Sequence, residues 1–416
     1  MSFSATFLYI SLFVSLFFEV VLLISYFEIR EEIKFEQSHD GLKTTTFPTV
    51  TIIVPCFNEE KTVAATLRSL LSLEYPKDRL SIMVIDDGST DGTQKALDEF
   101  RSHAQIKILL KDNGGKHTAL NYALENITSD LVGCLDADSF VAPDALRRMV
   151  PYFEDATVMS VTPSIKIHEP KTILQYVQKV EYSWGILLRR ILASMNGLYV
   201  TPGPFSIFRV SVFKELGGYR HAHHTEDMEM ALRMQKHHYK IVNAHSAHVY
   251  TVAPEKLSGL YKQRVRWVYG FLNNAIDYRD MYFNREYGNI GFFVLPIATF
   301  SVFSTLIAAG TFIWSLLSKI PLAIARYEAV GLTFSRPHFS FVLDWFSFNT
   351  SLTTWVTLIT IFMTLTLLGI SLKLANGKFR PGRDVFYYLV IYVFIVPLWL
   401  AKATYATLAR RPVTWR

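Results

Sequence analysis

The chain has 416 residues, half of them hydrophobic, and a formal net charge of +6. Its length allows two or three domains, but 31 Phe and 21 Tyr make it richer in aromatic residues than is usual for a soluble protein. The charge fits a Lys/Arg excess beside membrane helices or attraction to anionic lipid, and the lack of a basic block with interleaved aromatic residues argues against a nucleic-acid partner.

The N-terminal segment predicts a membrane anchor. Residues Ala5 to Phe27 carry a single charge, Glu19. A bilayer core is crossed by about 20 apolar helical residues, and this run exceeds that length. It is too long for a signal peptide, no Lys or Arg precedes it and no small-residue cleavage site follows. We therefore expect a retained helix, with Glu19 at a helix interface, which we favour, or beside a transport path.

Between Thr49 and about Thr251, short apolar runs alternate with amphipathic stretches. The expected strands are Val50–Pro55, Ser81–Ile85, Ile106–Leu110 and Leu131–Leu135, and the expected helices are Lys61–Ser72 and Lys116–Glu125. This alternation predicts an α/β domain with a mostly parallel, Rossmann-like sheet.

Polar motifs follow three of these strands. They are Asn58-Glu59, Asp86-Asp87 and Asp136-Ala137-Asp138. Ligands bind beyond the carboxyl ends of strands in such sheets, so we expect the motifs to share one site. The only two cysteines, Cys56 and Cys134, also end strands, which predicts buried thiols in a reducing cytosol rather than a disulfide or a metal site.

Each motif also has an ordinary structural interpretation. Asp86-Asp87-Gly-Ser is a common turn or helix cap. The sequence Asn113-Gly114-Gly115-Lys116 is a common turn, but its glycines and the helix that follows also suit an anion. The two carboxylates at 136 and 138 can reach one divalent cation together.

A third acidic motif, Thr225-Glu226-Asp227, precedes an apolar helical run. It predicts a helix N-cap at Thr225, and the two carboxylates are also suited to general-base chemistry. The histidines His221, His223 and His224 lie just before it. We do not expect zinc there, because no cysteine is near in sequence and a mobile loop is the simpler interpretation.

From Pro254 to about Phe283, apolar residues recur at helical spacing among basic ones. This pattern predicts a basic amphipathic helix on the membrane surface, with an ordinary surface helix as the alternative. It contains Gln263-Arg264-Val265-Arg266-Trp267.

Three further apolar runs follow, Tyr287–Ser318, Trp345–Leu372 and Val385–Ala401, of which the last is near the lower limit for a span. With residues from Glu28 onward in the cytoplasm, three more spans leave the C-terminus outside. The basic residues at 402, 410, 411 and 416 favour a cytoplasmic C-terminus, so either one run is interfacial or re-entrant or the charge rule fails.

The expected organisation is therefore as follows: an anchor at 1–28, a catalytic domain at 29–252, an amphipathic interfacial segment at 253–286, a transmembrane helix at 287–318, a loop at 319–349, a transmembrane helix at 350–373, a cytoplasmic loop at 374–384, a transmembrane or interfacial helix at 385–409 and a basic tail at 410–416.

Four motifs, in this order and between these apolar segments, resemble those of the processive family-2 glycosyltransferases, the membrane enzymes that build chitin, cellulose, hyaluronan and poly-N-acetylglucosamine. The motifs are Asp86-Asp87-Gly88, Asp136-Ala137-Asp138, Thr225-Glu226-Asp227 and Gln263-Arg264-Val265-Arg266-Trp267. The resemblance covers Thr49 to Trp267 at motif level. Gly-Lys-x-x-Ala-Leu-Asn at 115–121, Gln-Arg-Val-Arg-Trp and the one-plus-three helix layout are most similar to the poly-β-1,6-N-acetylglucosamine synthases. The resemblance implies a cytosolic GT-A domain with about four transmembrane helices.

The resemblance also implies roles for individual residues. Phe57 would stack on the base of the donor. Asp86 or Asp87 would accept the uracil imide proton, and Asp87 is favoured. The other donor-binding residues would be Glu59, Lys116, Asp136 and Arg266. Asp138 would ligate Mg²⁺ or Mn²⁺, with Asp136 on the metal or the ribose. Asp227 would be the general base, supported by Glu226. Gln263 and Trp267 would hold the acceptor.

The implied function is inverting transfer of a sugar, with N-acetylglucosamine expected, from a UDP-sugar to a growing β-linked polysaccharide at the inner membrane. Export coupled to synthesis, membrane lipid and an accessory membrane subunit belong to the same expectation. The alternative is a ceramide-type lipid glucosyltransferase that adds one sugar to a glycolipid acceptor. A transporter or channel with a nucleotide-sensing domain is disfavoured, because a sensor does not need Asp227.

Overall fold

The computed structural model describes residues 3–37, 46–330, 351–378 and 381–413. It divides into two compact units. One comprises Met1–Leu23 and Ile297–Leu367, and the larger one comprises Ile24–Pro296 and Leu368–Arg416.

The larger unit is built on one eight-stranded sheet with the strand order β3-β2-β1-β4-β7-β6-β8-β5. Its strands are β1 Val50–Cys56, β2 Leu80–Asp86, β3 Ile106–Leu110, β4 Leu131–Cys134, β5 Ser139–Val141, β6 Val158–Ile167, β7 Ser206–Arg209 and β8 Lys240–Thr251.

The first half of the sheet is parallel, as the alternation of strands and helices predicts. β1 pairs in parallel with β2 and β4, and β2 with β3. The edge strand β3 exposes Lys107 and Leu110, but β1, β2 and β4 are buried on both faces, as Ile52 and Ile53 of β1 show, so their sequences are continuous apolar runs. Their carboxyl ends therefore meet at one edge.

The second half of the sheet is mixed. β7 is antiparallel to β4 and β6, β8 is parallel to β6, and β5 is antiparallel to β8. The α/β prediction is confirmed. The short strand β5, which begins directly after Asp138, folds back along the end of β8.

The bounds of the helices are α1 Phe3–Gln37, α2 Val63–Leu71, α3 Thr93–Leu97, α4 Lys116–Leu124, α5 Ala145–Met149, α6 Ile173–Ser194, α7 Val210–Leu216, α8 Glu226–Lys236, α9 Leu257–Asp277, α10 Leu295–Leu317, α11 Ile320–Val330, α12 Leu352–Asn376 and α13 Arg383–Leu408. The two helices expected at Lys61–Ser72 and Lys116–Glu125 are confirmed within two residues as α2 and α4, whereas α3, α5, α6 and α7 were not predicted. The short helical turns are Lys77–Arg79, Asp98–Phe100, Val150–Glu154, Ala222–His224, Arg279–Met281, Arg285–Tyr287 and Ile290–Val294.

Helix α6 fixes the chain that leads into α9. It begins with a capping box in which the Gln175 amide nitrogen donates to Thr172 and the Gln175 side chain accepts from the Thr172 backbone. The Gln175 and Gln178 side-chain amides donate to the carbonyls of Ala253 and Pro254, each at 2.9 Å. These bonds hold the segment just before α9 against α6.

Four helices are long and apolar enough to cross a membrane: Thr6–Glu36, Ile290–Ala329, Leu352–Asn376 and Arg383–Leu408. Large apolar side chains lie exposed on them, as in Phe13, Trp314 and Phe394. Such exposure is expected of helices that contact lipid rather than water. These features are consistent with a multi-pass membrane protein.

One expectation needs correction. The loop expected at 319–349 begins as a helix, α11, over Ile320–Val330. Pro321 lies in its first turn, where a missing N–H costs nothing, so this proline starts a helix rather than preventing one. Residues 331–349 of that expected loop lie outside the described part of the chain.

Glu19 lies at a helix interface in the smaller unit. It is buried, and the Thr364 hydroxyl of α12 donates a hydrogen bond to it. A carboxyl group within an apolar helix is thereby given a polar partner, as the favoured interpretation predicts.

Candidate active site

Asp86, the last residue of β2, and Asp87, which follows it, have different hydrogen-bond partners. The Asp87 carboxylate accepts from the Gly114 and Gly115 amides at 3.1 and 2.8 Å, and it pairs with the Lys111 ammonium at 2.5 Å. Asp86 accepts from the Ser89 amide through Oδ1, while its Oδ2 is buried without a hydrogen-bond partner among the described residues. The loop therefore uses Asp87 as a structural anchor and leaves one acceptor of Asp86 available.

The loop after β1 is tied to the loop after β2. Asn58 is in the left-handed region at φ 58°, donates its amide to Ser89 and accepts from the Thr90 amide. The Thr62 hydroxyl donates to Glu59 at 2.6 Å. Phe57, between these anchors, is half-buried. The two loops thus form one wall with Phe57 within it.

Lys116 joins two of the acidic motifs. It opens α4, and its ammonium lies 2.7 Å from an Asp136 oxygen and 3.0 Å from a Glu226 oxygen. These three residues are far apart in sequence, so only the fold brings them together.

Gly203 makes this approach possible. A Cβ at this position would lie 2.7 Å from the Lys116 ammonium and 2.9 Å from an Asp136 oxygen. Sequence reasoning did not identify Gly203, and Thr201-Pro202-Gly203 gives little local signal beyond a turn.

Asp136 and Asp138 provide a donor set suited to a hard divalent cation. Burial, followed by the charges of the Asp136 and Glu59 carboxylates, raises the pKa of Asp138 to about 7. Such crowding of negative charge is what a divalent cation would offset. Among the described residues no group of three or more His, Cys, Asp or Glu side chains is placed to hold a metal ion.

The pKa values of the adjacent carboxylates Glu226 and Asp227 are shifted in opposite directions. Burial and then the Glu226 charge together raise the pKa of Asp227 to about 6. Burial also raises the pKa of Glu226, but the Lys116 ammonium outweighs it and holds that pKa below its ordinary value. Two neighbouring acids with separated pKa values are typical of acid–base sites.

The predicted cap at Thr225 is wrong in detail. Its side chain makes no capping bond to α8. Instead its hydroxyl donates to the Ala222 carbonyl at 3.1 Å and accepts from the Asn274 amide of α9 at 2.9 Å. The threonine is used to join the acidic motif to α9, since Asn274 is fully buried and needs a partner.

Helix α9 crosses close to the acidic motif at Gly270. A Cβ on Gly270 would lie 2.2 Å from the Thr225 hydroxyl oxygen and 2.3 Å from its methyl carbon. The Arg266 guanidinium donates to the His224 carbonyl at 3.3 Å. The predicted donor residue Arg266 is therefore beside Glu226 and Asp227.

The buried Arg264 contacts both Gln263 and Trp267 of the Gln263-Arg264-Val265-Arg266-Trp267 motif. It donates to the Glu181 carboxylate of α6 at 2.6 Å and to the Gln263 side-chain oxygen at 2.9 Å, and its guanidinium lies 4.2 Å from the centre of the Trp267 ring. The Tyr392 hydroxyl of α13 donates to the same Glu181 carboxylate. Sequence reasoning singled out Gln263 and Trp267 but missed the arginine that holds both.

The three histidines lie on a strained turn just before Glu226. Ala222, His223 and His224 have φ of 42°, 54° and 67°. His221 contacts the rings of His117 and His224, and His223 lies 2.9 Å from Asp277. The expectation that this cluster is a loop rather than a zinc site stays a prediction.

Comparisons with known proteins agree with this architecture. Residues 48–270 match the family model described as glycosyltransferase like family 2. Over 294 residues the chain is 28% identical to a poly-beta-1,6-N-acetyl-D-glucosamine synthase of Staphylococcus epidermidis, covering 70% of this chain and 69% of that protein. A protein of the same name from Staphylococcus aureus is 30% identical over 249 residues, covering 59% of this chain and 60% of its own.

The fold is similar to that of a solved mannosyltransferase from Pyrobaculum calidifontis, determined in complex with GDP-Man and Mn²⁺. The TM-score is 0.61 over 97% of this chain and 99% of that chain, at 19% sequence identity.

Proposed function

The chain belongs to glycosyltransferase family 2, and from this membership we propose that it is a membrane-bound, inverting synthase that transfers N-acetylglucosamine from a UDP-sugar to a growing β-linked polysaccharide. The observation that carries the proposal is the ion-paired cluster of Lys116, Asp136 and Glu226 at the carboxyl edge of the sheet, with Asp227 and Arg266 beside it. The synthase names of the relatives support the sugar and the polymer.

The donor nucleotide is held by the two joined loops. Phe57 stacks on the uracil ring. The free oxygen of Asp86 accepts the imide N–H, a role for which its geometry suits it better than Asp87, whose oxygens are already bonded. Arg266 provides paired donors for the diphosphate, as guanidinium groups do for phosphate oxygens.

Asp136 and Asp138 would hold Mg²⁺ or Mn²⁺, which when bound offsets charge on the departing diphosphate. Lys116 then stands between the diphosphate and Glu226. The Lys116 ammonium lies 2.7 Å from the proposed metal ligand Asp136, and this proximity supports a role for it in stabilising charge on the leaving group.

Asp227 is the general base. It takes the proton from the acceptor hydroxyl as the hydroxyl oxygen forms a bond to the anomeric carbon and the bond from that carbon to the diphosphate oxygen breaks. Attack from the side opposite the leaving group inverts the anomeric centre. A pKa of about 6 leaves Asp227 ionised at neutral pH yet basic enough to accept the proton.

The acceptor chain is engaged by Gln263 and Trp267 on α9. Arg264 fixes both, through a hydrogen bond to the Gln263 oxygen and by lying against the Trp267 ring. A rigid indole ring is suited to hold a sugar face between successive additions.

We propose an inner-membrane location with the catalytic domain in the cytosol, and export of the polymer coupled to its synthesis. An accessory membrane subunit belongs to the same proposal. The synthesis of polymer by the chain purified alone would show that it does not need this subunit.

The test uses the full-length chain in lipid nanodiscs with radiolabelled UDP-N-acetylglucosamine and, separately, UDP-glucose, with Mg²⁺ or Mn²⁺ and with excess chelator. We expect a ladder of long products from the first donor, and no transfer in chelator. A product of one added sugar on lipid would instead establish the lipid glucosyltransferase alternative. Transfer at full rate in chelator would contradict the assignment of Asp136 and Asp138.

A further inference from the structure

The larger unit contains a second cavity, of about 670 Å³, that shares no residue with the candidate active site. It lies between α5, α6 and the strands β6 and β8, and the last turn of α12 closes one side of it. Its volume is within the range of small-molecule binding pockets in proteins.

The cavity wall is positively charged. Arg148, Lys166 and Lys179 line it, and Asp144 is the only carboxylate among the lining residues. Asp144 is already paired with Arg148, at 2.5 Å. No other carboxylate in the described part of the chain forms an ion pair with Lys166 or Lys179. Two ammonium groups therefore face the cavity without a counter-charge.

Lys166 shows how unusual this arrangement is. It is largely enclosed, and burial alone lowers its pKa to about 8, with no neighbouring carboxylate to offset the loss of hydration. Its ammonium lies 3.4 Å from Nε2 of His248, another basic group. A buried cation beside a second base is costly unless something outside the chain compensates it.

His248 adds a second unsatisfied group to the same wall. Burial, and then the charge of Lys166, lowers its pKa to about 4, so the ring is neutral at physiological pH. When Nε2 accepts from Lys166, the ring proton is on Nδ1. That nitrogen is buried without a hydrogen-bond partner among the described residues. The wall thus has an unused donor next to an unpaired cation.

We propose that this cavity is a binding site for a phosphate-bearing anion, with Lys166 and Lys179 as its counter-charges and His248 as a further donor. These donors come from three separate elements, β6, α6 and β8, so an acceptor with several oxygens fits better than a single carboxylate. Phosphate oxygens are the acceptors to which ammonium and guanidinium groups bind in this manner.

The fold leaves two sources for that phosphate. Leu374, Ala375 and Asn376, at the end of the candidate span α12, form one wall of the cavity, and the end of a span is where lipid headgroups lie. A soluble phosphate compound is the other source. The chemistry recognised is the same, and the experiment separates them.

The test measures thermal unfolding of the full-length chain. In one arm, inorganic phosphate and pyrophosphate are titrated onto detergent-solubilised protein. In the other, nanodiscs of phosphatidylcholine are compared with nanodiscs that also contain phosphatidylglycerol. Binding to the native state raises the midpoint with ligand concentration, which gives an apparent Kd. A response in the first arm identifies a soluble source, and a response in the second alone identifies lipid.

The variant is Lys166→Met with Lys179→Met. We expect its unfolding midpoint without ligand to be unchanged or raised, because a buried unpaired charge is removed, and its affinity for the probe to fall by about tenfold or more. Lys166→Arg should keep binding. The matched control is Lys95→Met with Lys107→Met, which removes two exposed cations elsewhere in the same unit.

Two results would overturn the proposal. One is a wild-type protein that responds in neither arm. The other is a cavity variant that responds to the probe as strongly as the wild type and the control do.

Discussion

Glu226 and Asp227 are adjacent carboxylates to which the fold gives different protonation behaviour. The Lys116 ammonium holds one in its charged form, while burial and the charge of its neighbour raise the pKa of the other to about 6. The acid with the higher pKa is the better proton acceptor, which is why Asp227 is assigned as the base.

Asp227→Asn should lower the rate of transfer by about 10²-fold or more, the scale of general-base removal, while UDP affinity is kept. The wild-type rate should fall as the pH is lowered through about 6, because the base must be deprotonated, and the rate should level off above it. Initial rates from pH 5 to 8 and UDP titrations measure both, with the exposed Asp98→Asn as control. A variant that loses UDP affinity in proportion to its rate would make Asp227 a structural residue.

Asp86 and Asp87 offer a second comparison at the residue scale. Asp87 is saturated by Lys111 and two backbone amides, whereas Asp86 keeps an unpartnered buried oxygen. We expect Asp86→Asn to weaken UDP binding by about tenfold with little change in stability, since one acceptor for the ligand is lost. Asp87→Asn should instead lower the unfolding temperature. Calorimetric titration with UDP and thermal unfolding of both variants check this, and the reverse pattern would return the uracil contact to Asp87.

Helix α9 shows how an element is positioned by one glycine. Gly270 lies against Thr225 so closely that any Cβ would overlap its side chain, whereas Gly259 on the same helix has only an ordinary contact at 3.5 Å. Gly270→Ala should therefore displace α9 from the acidic motif and destabilise the protein by about 1–3 kcal/mol, the usual cost of overpacking.

Gly259→Ala is the matched control, and it should be neutral or slightly stabilising because alanine favours a helix. Thermal unfolding and transfer rate are measured on both variants. Equal stability of the two would show that α9 does not need the close approach at Gly270.

The second element-scale prediction concerns Arg264. This arginine links α9 to α6 through Glu181 and fixes Gln263 and Trp267. Arg264→Met should leave UDP affinity unchanged but shorten the product ladder, with long polymer reduced by about tenfold or more, the scale of a lost charge-assisted hydrogen bond. Lys262→Met, an exposed position on the same helix, is the control. An unchanged ladder would mean that Arg264 only stabilises the fold.

At the scale of the whole molecule, helix α13 bears on the orientation of the C-terminus. One face of it packs along the catalytic unit: Tyr388 against Val180, Tyr392 on Glu181 and Thr407 on Asn273 of α9. From these contacts with α6 and α9 we predict that α13 lies on the membrane surface rather than spanning the bilayer. The exposed apolar face, with Phe394 and Leu398, then meets lipid.

From this packing we predict that the end of α13 is on the same side of the membrane as the candidate active site, as the basic residues near it favour. The two native cysteines are buried and should not react with a thiol reagent, so labelling will come from the cysteine introduced by Ala409→Cys. A membrane-impermeant thiol reagent should label it from the side that labels the exposed control Lys95→Cys. Labelling of the two positions from opposite sides would make α13 a true span.

The sequence by itself determined the parts of the protein that depend on local pattern. The strands β1, β2 and β4 were predictable because they are buried on both faces and read as apolar runs, and the anchor was predictable because 23 residues carry one charge. The motifs were predictable because loops at the carboxyl ends of parallel strands share one edge. The family followed from their order.

Only the tertiary structure decided which groups meet. β6 and β8 carry polar residues at buried positions, and some of these, such as Ser160 and Asn243, bond to partners distant in sequence, so no periodicity marks the strands. The free oxygen of Asp86, the glycines at 203 and 270 and the central role of Arg264 are properties of distances between elements. Local sequence encodes burial and periodicity, but a hydrogen-bond partner is selected by the packing of the whole chain.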